Sequence, residues 1–318
     1  MKCLLENIHA PTYMEKCPDS ESTRSRNENR SRLRSRLIHL HPMGPAKPKS
    51  SGSHDKEQLL EWVNQSGFPF QTALEALILE TSTRWRWTVT HVEEAWKNGS
   101  HERDGFIDLI IENQPRTVAL IIEAKRTLDT SWIFLVPDDR QMSRRHLKAW
   151  LTWSGKSPHF GWYDVTLEPR TPESQFCVVR GQDERALSML ERIGSDLISA
   201  TEAYAWEDRP NVEPRTSDMR LYCSVIVTTA TLRVCQYDPR DILLDVGKIP
   251  DADFAEVPVV RFRKQLFTRA TTSKVPAAVT PSVESSSKEH AVFVVNATHF
   301  IDFLEALDID EDAFRRLR

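Results

Sequence analysis

Glycine is scarce in this chain, ten in 318 residues. The few present form neither a GxxxxGK[ST] phosphate loop nor a GxGxxG fingerprint, so nucleotide-driven chemistry would need a partner protein. No Gly-x-Ser-x-Gly nucleophile elbow occurs either. The five cysteines are odd in number and widely spaced, which argues against a disulfide framework or a zinc site. Cys177, Cys223 and Cys235 sit in apolar runs where buried packing accounts for them. No stretch approaches the ~20 apolar residues of a membrane span, and Met1 to His9 is broken by charge too early for a signal peptide. The expectation is a cytoplasmic protein with no membrane partner. No internal repeat is present.

Charge is nearly balanced over the whole chain, −4 formally, but unevenly spread. Residues 1–50 hold ten Lys plus Arg against five Asp plus Glu, a net +5, which leaves −9 on the remainder. The Arg/Ser run from Ser22 to Arg36 and the Pro-rich Pro42 to Gly52 have the composition of a disordered tail, so residues 1–52 are read as a basic tail. Such an arm could hold phosphates without sequence preference; alternatively, translation starts at Met43. Residues 53–267 are read as one α/β domain, 268–289, rich in Ser, Thr, Ala and Pro, as a flexible insert, and 290–318 as a further strand and helix that pack on the core.

Within the domain, Phe70, Ala73, Leu74, Leu77 and Ile78 have the spacing of an amphipathic helix, with Pro69 suited to its first turn. Strands are expected at Ser131 to Val136, Phe176 to Arg180, Leu221 to Thr229, Leu232 to Gln236 and Val257 to Phe262, and a long helix from Gln182 to Tyr204. His91 and His101 flank an expected loop and could join a site, with solvated histidines the favoured reading.

The most informative stretch is Phe106 to Ile111 followed by Val118 to Lys125, two Ile/Leu/Val-rich runs joined by the turn-forming Asn113-Gln114-Pro115-Arg116. An antiparallel hairpin is expected, with three ionisable side chains embedded in it. Alternation places Glu123 and Lys125 on one face. If Glu112 pairs with Thr117, Asp108 lies opposite Ile121 and is the diagonal same-face neighbour of Glu123, which leaves room for one cation. An acid-x-Lys triplet alone is expected about twice by chance in this composition, so it is the placement that carries weight. The bland alternative is an edge-strand ion pair with a solvated Asp108.

These residues resemble the PD-(D/E)xK, or restriction-endonuclease-like, nuclease superfamily. Asp108 matches the motif Asp, Glu123-Ala124-Lys125 the (D/E)xK triplet, Ser131 to Val136 the hydrophobic strand that follows, and Gly67 to Ile78 the upstream helix. The resemblance spans roughly Gly67 to Met142. It implies a mixed central β-sheet flanked by helices and a metal-dependent nuclease, with DNA as the expected substrate. It further implies a cation held by Asp108, Glu123 and the backbone carbonyl of Ala124, with Lys125 beside the attacking water. In relatives the upstream helix often adds an acid. Here the aligned position is Gln71, which brings no charge, and Glu75 one turn further on is the substitute. Hard oxygen ligands favour Mg²⁺, with Mn²⁺ tolerated. Two-strand cutting would require two sites acting together, for which a homodimer is one arrangement. The rival reading is a catalytically inactive relative that serves as a nucleic-acid-binding or assembly module.

Arg140, Arg144, Arg145 and Lys148 are candidate phosphate contacts, with Trp150 or Trp153 available to stack on a base. A solvated helix with both tryptophans packed inward is the favoured alternative for that segment.

Overall fold

The turn between the two apolar runs is built by Asn113. Its side-chain oxygen accepts the N–H groups of Thr117 and Val118, each at 2.9 Å, while Arg116 turns the chain at φ 58°. A computed structural model of the protein describes residues 54–98, 103–128, 130–137, 142–153, 159–180, 188–208, 219–266 and 289–309. The tail assigned to residues 1–52, positions 268–288 of the insert, His101 and Arg140 lie outside them.

Four helices and fourteen strands are described. Helices α1 (His54–Gln65) and α2 (Phe68–Trp85) precede a meander of β1 (Trp87–Asn98), β2 (Arg103–Asn113) and β3 (Val118–Lys125). Then come β4 (Ser131–Val136), β5 (Arg144–Trp153), β6 (His159–Thr171), β7 (Glu173–Ser174), β8 (Cys177–Val179) and helix α3 (Met189–Asp208). The chain continues through β9 (Met219–Thr228), β10 (Thr231–Gln236), β11 (Asp253–Glu256), β12 (Val259–Lys264) and β13 (His290–Asn296) to α4 (Phe300–Ala306) and β14 (Asp308–Ile309).

The central sheet is mixed, as expected, and helices flank it. Its main path runs β1-β2-β3-β9-β13-β12-β7, with β5 and β6 joined through β9. Strand β9 is the spine. It runs parallel to β3 over Val118 to Lys125, and on its other edge pairs with β5 at its start and β13 at its end. Nearly every residue of β9 is buried, the reading of a strand covered on both faces. Among the described residues, no helix is long and apolar enough to cross a membrane.

Two features differ from the sequence reading. Ser131 to Val136 forms a strand, but β4 belongs to a second, four-stranded sheet, β11-β10-β4-β8, where it pairs in parallel with β10. The cation- and tryptophan-rich segment is not a helix. It is β5, paired along its length with β6, with Leu147, Ala149 and Leu151 buried on one face and Lys148 and Trp150 on the other. Period-two burial on both faces overrides the helix-compatible spacing of its cations.

Each face of the sheet carries its own core. Ile110, Ala119, Ile121 and Tyr222 pack with α3 and with Trp132 and Phe134 of the second sheet. Leu109, Ile111, Leu120, Ile122 and Val225 pack with Leu74 and Ile78 of α2 and Phe300 and Phe303 of α4. Gly67, in the left-handed region at φ 68°, and Pro69 in the first turn start α2 at the angle that lays Leu74 and Ile78 on the hairpin. Asn296 accepts the N–H of Thr298 where the chain turns towards α4.

Candidate active site

The observed register pairs Glu112 with Ala119 and Leu109 with Ile122, two residues away from the expected register. The capped turn consumes those two residues, since the Thr117 and Val118 amides are spent on Asn113. An even offset preserves the face of every side chain. The ladder stops at Leu109–Ile122, one residue short of Asp108 and Glu123, and the Asp108 carboxylate reaches the backbone of Ala124 instead.

Asp108 is where the regular ladders break. The β1–β2 pairing passes from Val92–Leu109 to Glu94–Ile107, skipping Glu93 and Asp108, and the β2–β3 ladder ends at Leu109–Ile122. Glu93 has φ 53°, an uncommon conformation for a residue with a side chain. The freed groups are recaptured by side chains. Asp108 Oδ2 accepts the Ala124 N–H at 2.7 Å, and the Asp108 carbonyl accepts the Gln71 amide at 3.2 Å. The same Gln71 nitrogen donates to Glu93 Oε1. Gln71 thus ties α2 to β1 and β2, and Glu93, which sequence reasoning did not single out, supplies a negative charge beside the position where the helix lacks one.

Among the described residues, Lys125 is the cation whose charge acts on both carboxyls. Burial pushes the Asp108 carboxyl above its ordinary range, and the charge of Glu93 adds to this; the bond from Ala124 and the charge of Lys125 oppose it. Burial, then the charges of Asp108, Asp196 and Glu93, push Glu123 up to about 7 against the pull of Lys125. Asp196 comes from α3, which packs across this face. Lys125 is half-buried at the end of β3, two residues beyond Glu123 and on the same face. Glu75 is a half-buried residue of α2, and the charges acting on the two carboxyls come from β1, β2, β3 and α3. Among the described residues, no group of three or more His, Cys, Asp or Glu side chains is arranged to hold a metal ion by itself.

Beside Glu123 lies a cavity of 520 Å³ between the sheet and α3, with Trp96, Phe106 and Asp196 among its walls and Arg103 at its edge. Arg103 meets Ser195 at 3.2 Å and Asp196 at 3.4 Å. No sequence motif announced Glu93, Asp196 or Arg103. Their one local trace is the adjacent pair Glu93-Glu94 within an otherwise strand-compatible run.

The other candidates are placed elsewhere. Arg145 pairs with Glu168 at 2.7 Å, and the Arg144 carbonyl accepts from the buried Arg261. Lys148 is 3% exposed and faces Asp164, so its ammonium is not displayed for phosphate contact. Trp150 is 2% exposed among Phe160, Trp162 and Trp206, in the core and not on a base-stacking surface. His91 is not a solvated loop-flanking residue: it pairs with Ile110 inside β1 and packs edge-on against Tyr204. Cys223 and Cys235 are buried and Cys177 half-buried, all three as free thiols. No family model, no curated protein and no solved structure matches this chain.

Proposed function

We propose that this protein is a metal-dependent nuclease that hydrolyses phosphodiester bonds, with DNA as the expected substrate. The observation that carries the reading is the gathering of two buried acids at the ends of neighbouring strands: Asp108 is bonded to Ala124 N–H and its charge acts on Glu123, both carboxyls are raised, and the charge of Lys125 acts on both. Buried carboxylates that lack a compensating cation are a costly arrangement, and perturbed acids of this kind cluster at functional sites. The upstream helix packed on the hairpin, and Gln71 bonded to the Asp108 backbone, also agree with the PD-(D/E)xK resemblance.

The donor set fits a hard divalent cation such as Mg²⁺. One Asp108 oxygen is fixed by Ala124, and the other has no protein hydrogen bond among the described residues. Asp108 and Glu123, with the Ala124 carbonyl, would hold the ion. When bound, it would lower the pKa of a coordinated water and neutralise charge building on the phosphate. The chain's own residues do the rest. Ala124 N–H and Gln71 fix the Asp108 carboxylate and backbone, and Lys125 orients the attacking water or stabilises the anionic phosphate.

Gln71 and the lack of a complete side-chain cage favour a second reading, a nuclease fold that binds nucleic acid without cutting it. The test is cleavage of plasmid, linear duplex, single-stranded DNA and RNA in Mg²⁺ or Mn²⁺ by the intact protein, Asp108→Ala and Lys125→Ala. The nuclease reading expects metal-dependent cutting that falls by at least about 10²-fold in both variants. Binding without cutting by the intact protein supports the second reading, and equal cutting by all three overturns the site.

A further inference from the structure

We propose that the cavity beside Glu123 seats one unstacked nucleotide of a single-stranded substrate, its base on the exposed ring of Phe106 and its phosphate on Arg103. The inference rests on the nuclease reading and narrows its substrate class.

The cavity has the build of a nucleotide site. Its 520 Å³ lies within the range of about 300–1,000 Å³ typical of small-ligand pockets. The floor is apolar: Ile107 from β2, and Ile193, Leu197 and Ala200 from α3 at intervals of four and three residues, one face of that helix. The Trp96 indole lies across the backbone of Gly105, where a Cβ would come within 3.2 Å of the ring nitrogen. Glycine is therefore what lets this wall lie flat. Phe106 is 64% exposed at the cavity, an apolar ring left in water where a base could cover it. Aromatic platforms of this kind bind any base, because every base has a π-face.

Arg103 provides the anion contact. Its partners are Ser195 and Asp196, and the side chains of Arg103 and Asp196 are 44% and 67% exposed. A pair so exposed is weakly held, so the guanidinium can exchange the carboxylate for a phosphate, which it can bind through two parallel hydrogen bonds. Asp196 is close enough for its charge to act on Glu123, which places the exchange beside the proposed hydrolytic centre.

The charge balance selects single strands. Duplex binding depends on many Lys and Arg contacts to phosphate, whereas the chain after residue 50 carries −9, and the cavity shows Arg103 among Asp104, Asp196 and Glu123. A base in a duplex reaches such a cavity only after unpairing and unstacking, a cost that a single strand largely avoids.

The experiment is a titration of the full chain, in chelator and low salt, with a fluorescent oligo(dT) and with a labelled duplex of the same length. Wild-type protein, Phe106→Ala and Arg103→Gln are compared, with thermal melts to show that the two exposed-site variants are folded. The single strand should bind at least ten-fold more tightly than the duplex, and each substitution should weaken it by about 5-fold or more. Equal affinity for duplex, unchanged binding in both variants, or no single-strand binding by wild type overturns the proposal. Cleavage separates the two readings. A protein that cuts duplex through Asp108 and Lys125 and is indifferent to Phe106→Ala keeps the nuclease reading and loses this one. A protein that binds single strands through Phe106 and Arg103 but cuts nothing does the reverse.

Discussion

The β2–β3 hairpin carries buried charge at both ends, and the two ends solve the same problem differently. Near the turn, Arg220 stands between Glu112, at 2.5 Å, and Asp208, at 3.0 Å, and Tyr222 donates a further bond to Asp208. All three charged side chains are almost fully buried, and Arg116 adds a second cation from the surface. Four residues along β2 on the same strand, Asp108 meets Glu123 with Glu93 and Asp196 nearby, and Lys125 is the cation that acts on both. The first cluster is closed by its own partners and ties β2, α3 and β9 together. The second is held open by protein groups that orient it without neutralising it. A buried charge network therefore reads as structural or functional by whether its own cations balance it.

Arg220→Met is the largest expected perturbation. It would leave Glu112 and Asp208 buried without their cation and cost about 3–5 kcal/mol in urea unfolding. Asp108→Asn and Glu123→Gln, at pH 8 without divalent metal, should instead be neutral or stabilising. Comparable losses at both ends would break the contrast.

Proton linkage gives the next effect. Glu123, and Glu202 buried in α3, are raised from an ordinary 4.5 to about 7. Between those pH values the folded protein holds protons that the unfolded chain has released, so their contribution to stability is greatest below 4.5 and falls as pH rises to about 7. Glu123→Gln or Glu202→Gln should each recover about 1–3 kcal/mol above pH 7 and nothing below pH 4, measured as unfolding free energy against pH. A wild type whose stability falls no more steeply than that of the variants would contradict the burial argument.

Mg²⁺ at ten times its Kd should stabilise the wild type by about 1.4 kcal/mol, a rise in melting temperature of about 3–6 °C. The Asp108→Asn/Glu123→Gln double variant should show no rise, and an equal rise in both would move the ion elsewhere. The smallest effect belongs to Arg116→Ala. Its side chain is 60% exposed, so losing its bond to Glu112 should cost no more than about 0.5 kcal/mol; a larger loss would make the surface cation part of the closed cluster.

Much of the fold was legible because it is locally periodic. The α2 spacing, the two hairpin runs, and the apolar strands that became β4, β8, β9, β10, β12 and β13 all show their pattern within a few residues. Strand β1 was not legible. A bulge between Val89 and His91 and the positive φ of Glu93 break the period of two just where a sequence reader counts on it. Strands β5 and β6 were missed for another reason: on β5 the charged Lys148 and the aromatic Trp150 are buried on the face opposite the aliphatic one, so its burial does not follow its polarity.

Within the site, the sequence alone determined that Glu123 and Lys125 share a face and that Asp108 sits on the partner strand, because alternation and a short turn leave no other arrangement. Tertiary structure decided that Gln71 and Ala124 hold Asp108, that Glu93 acts on both acids and Asp196 on Glu123, and that a cavity opens beside Glu123. Those facts depend on how many residues the turn consumes and on α3 crossing the hairpin from some 70 positions away, and contacts at that separation leave no period in the chain to read.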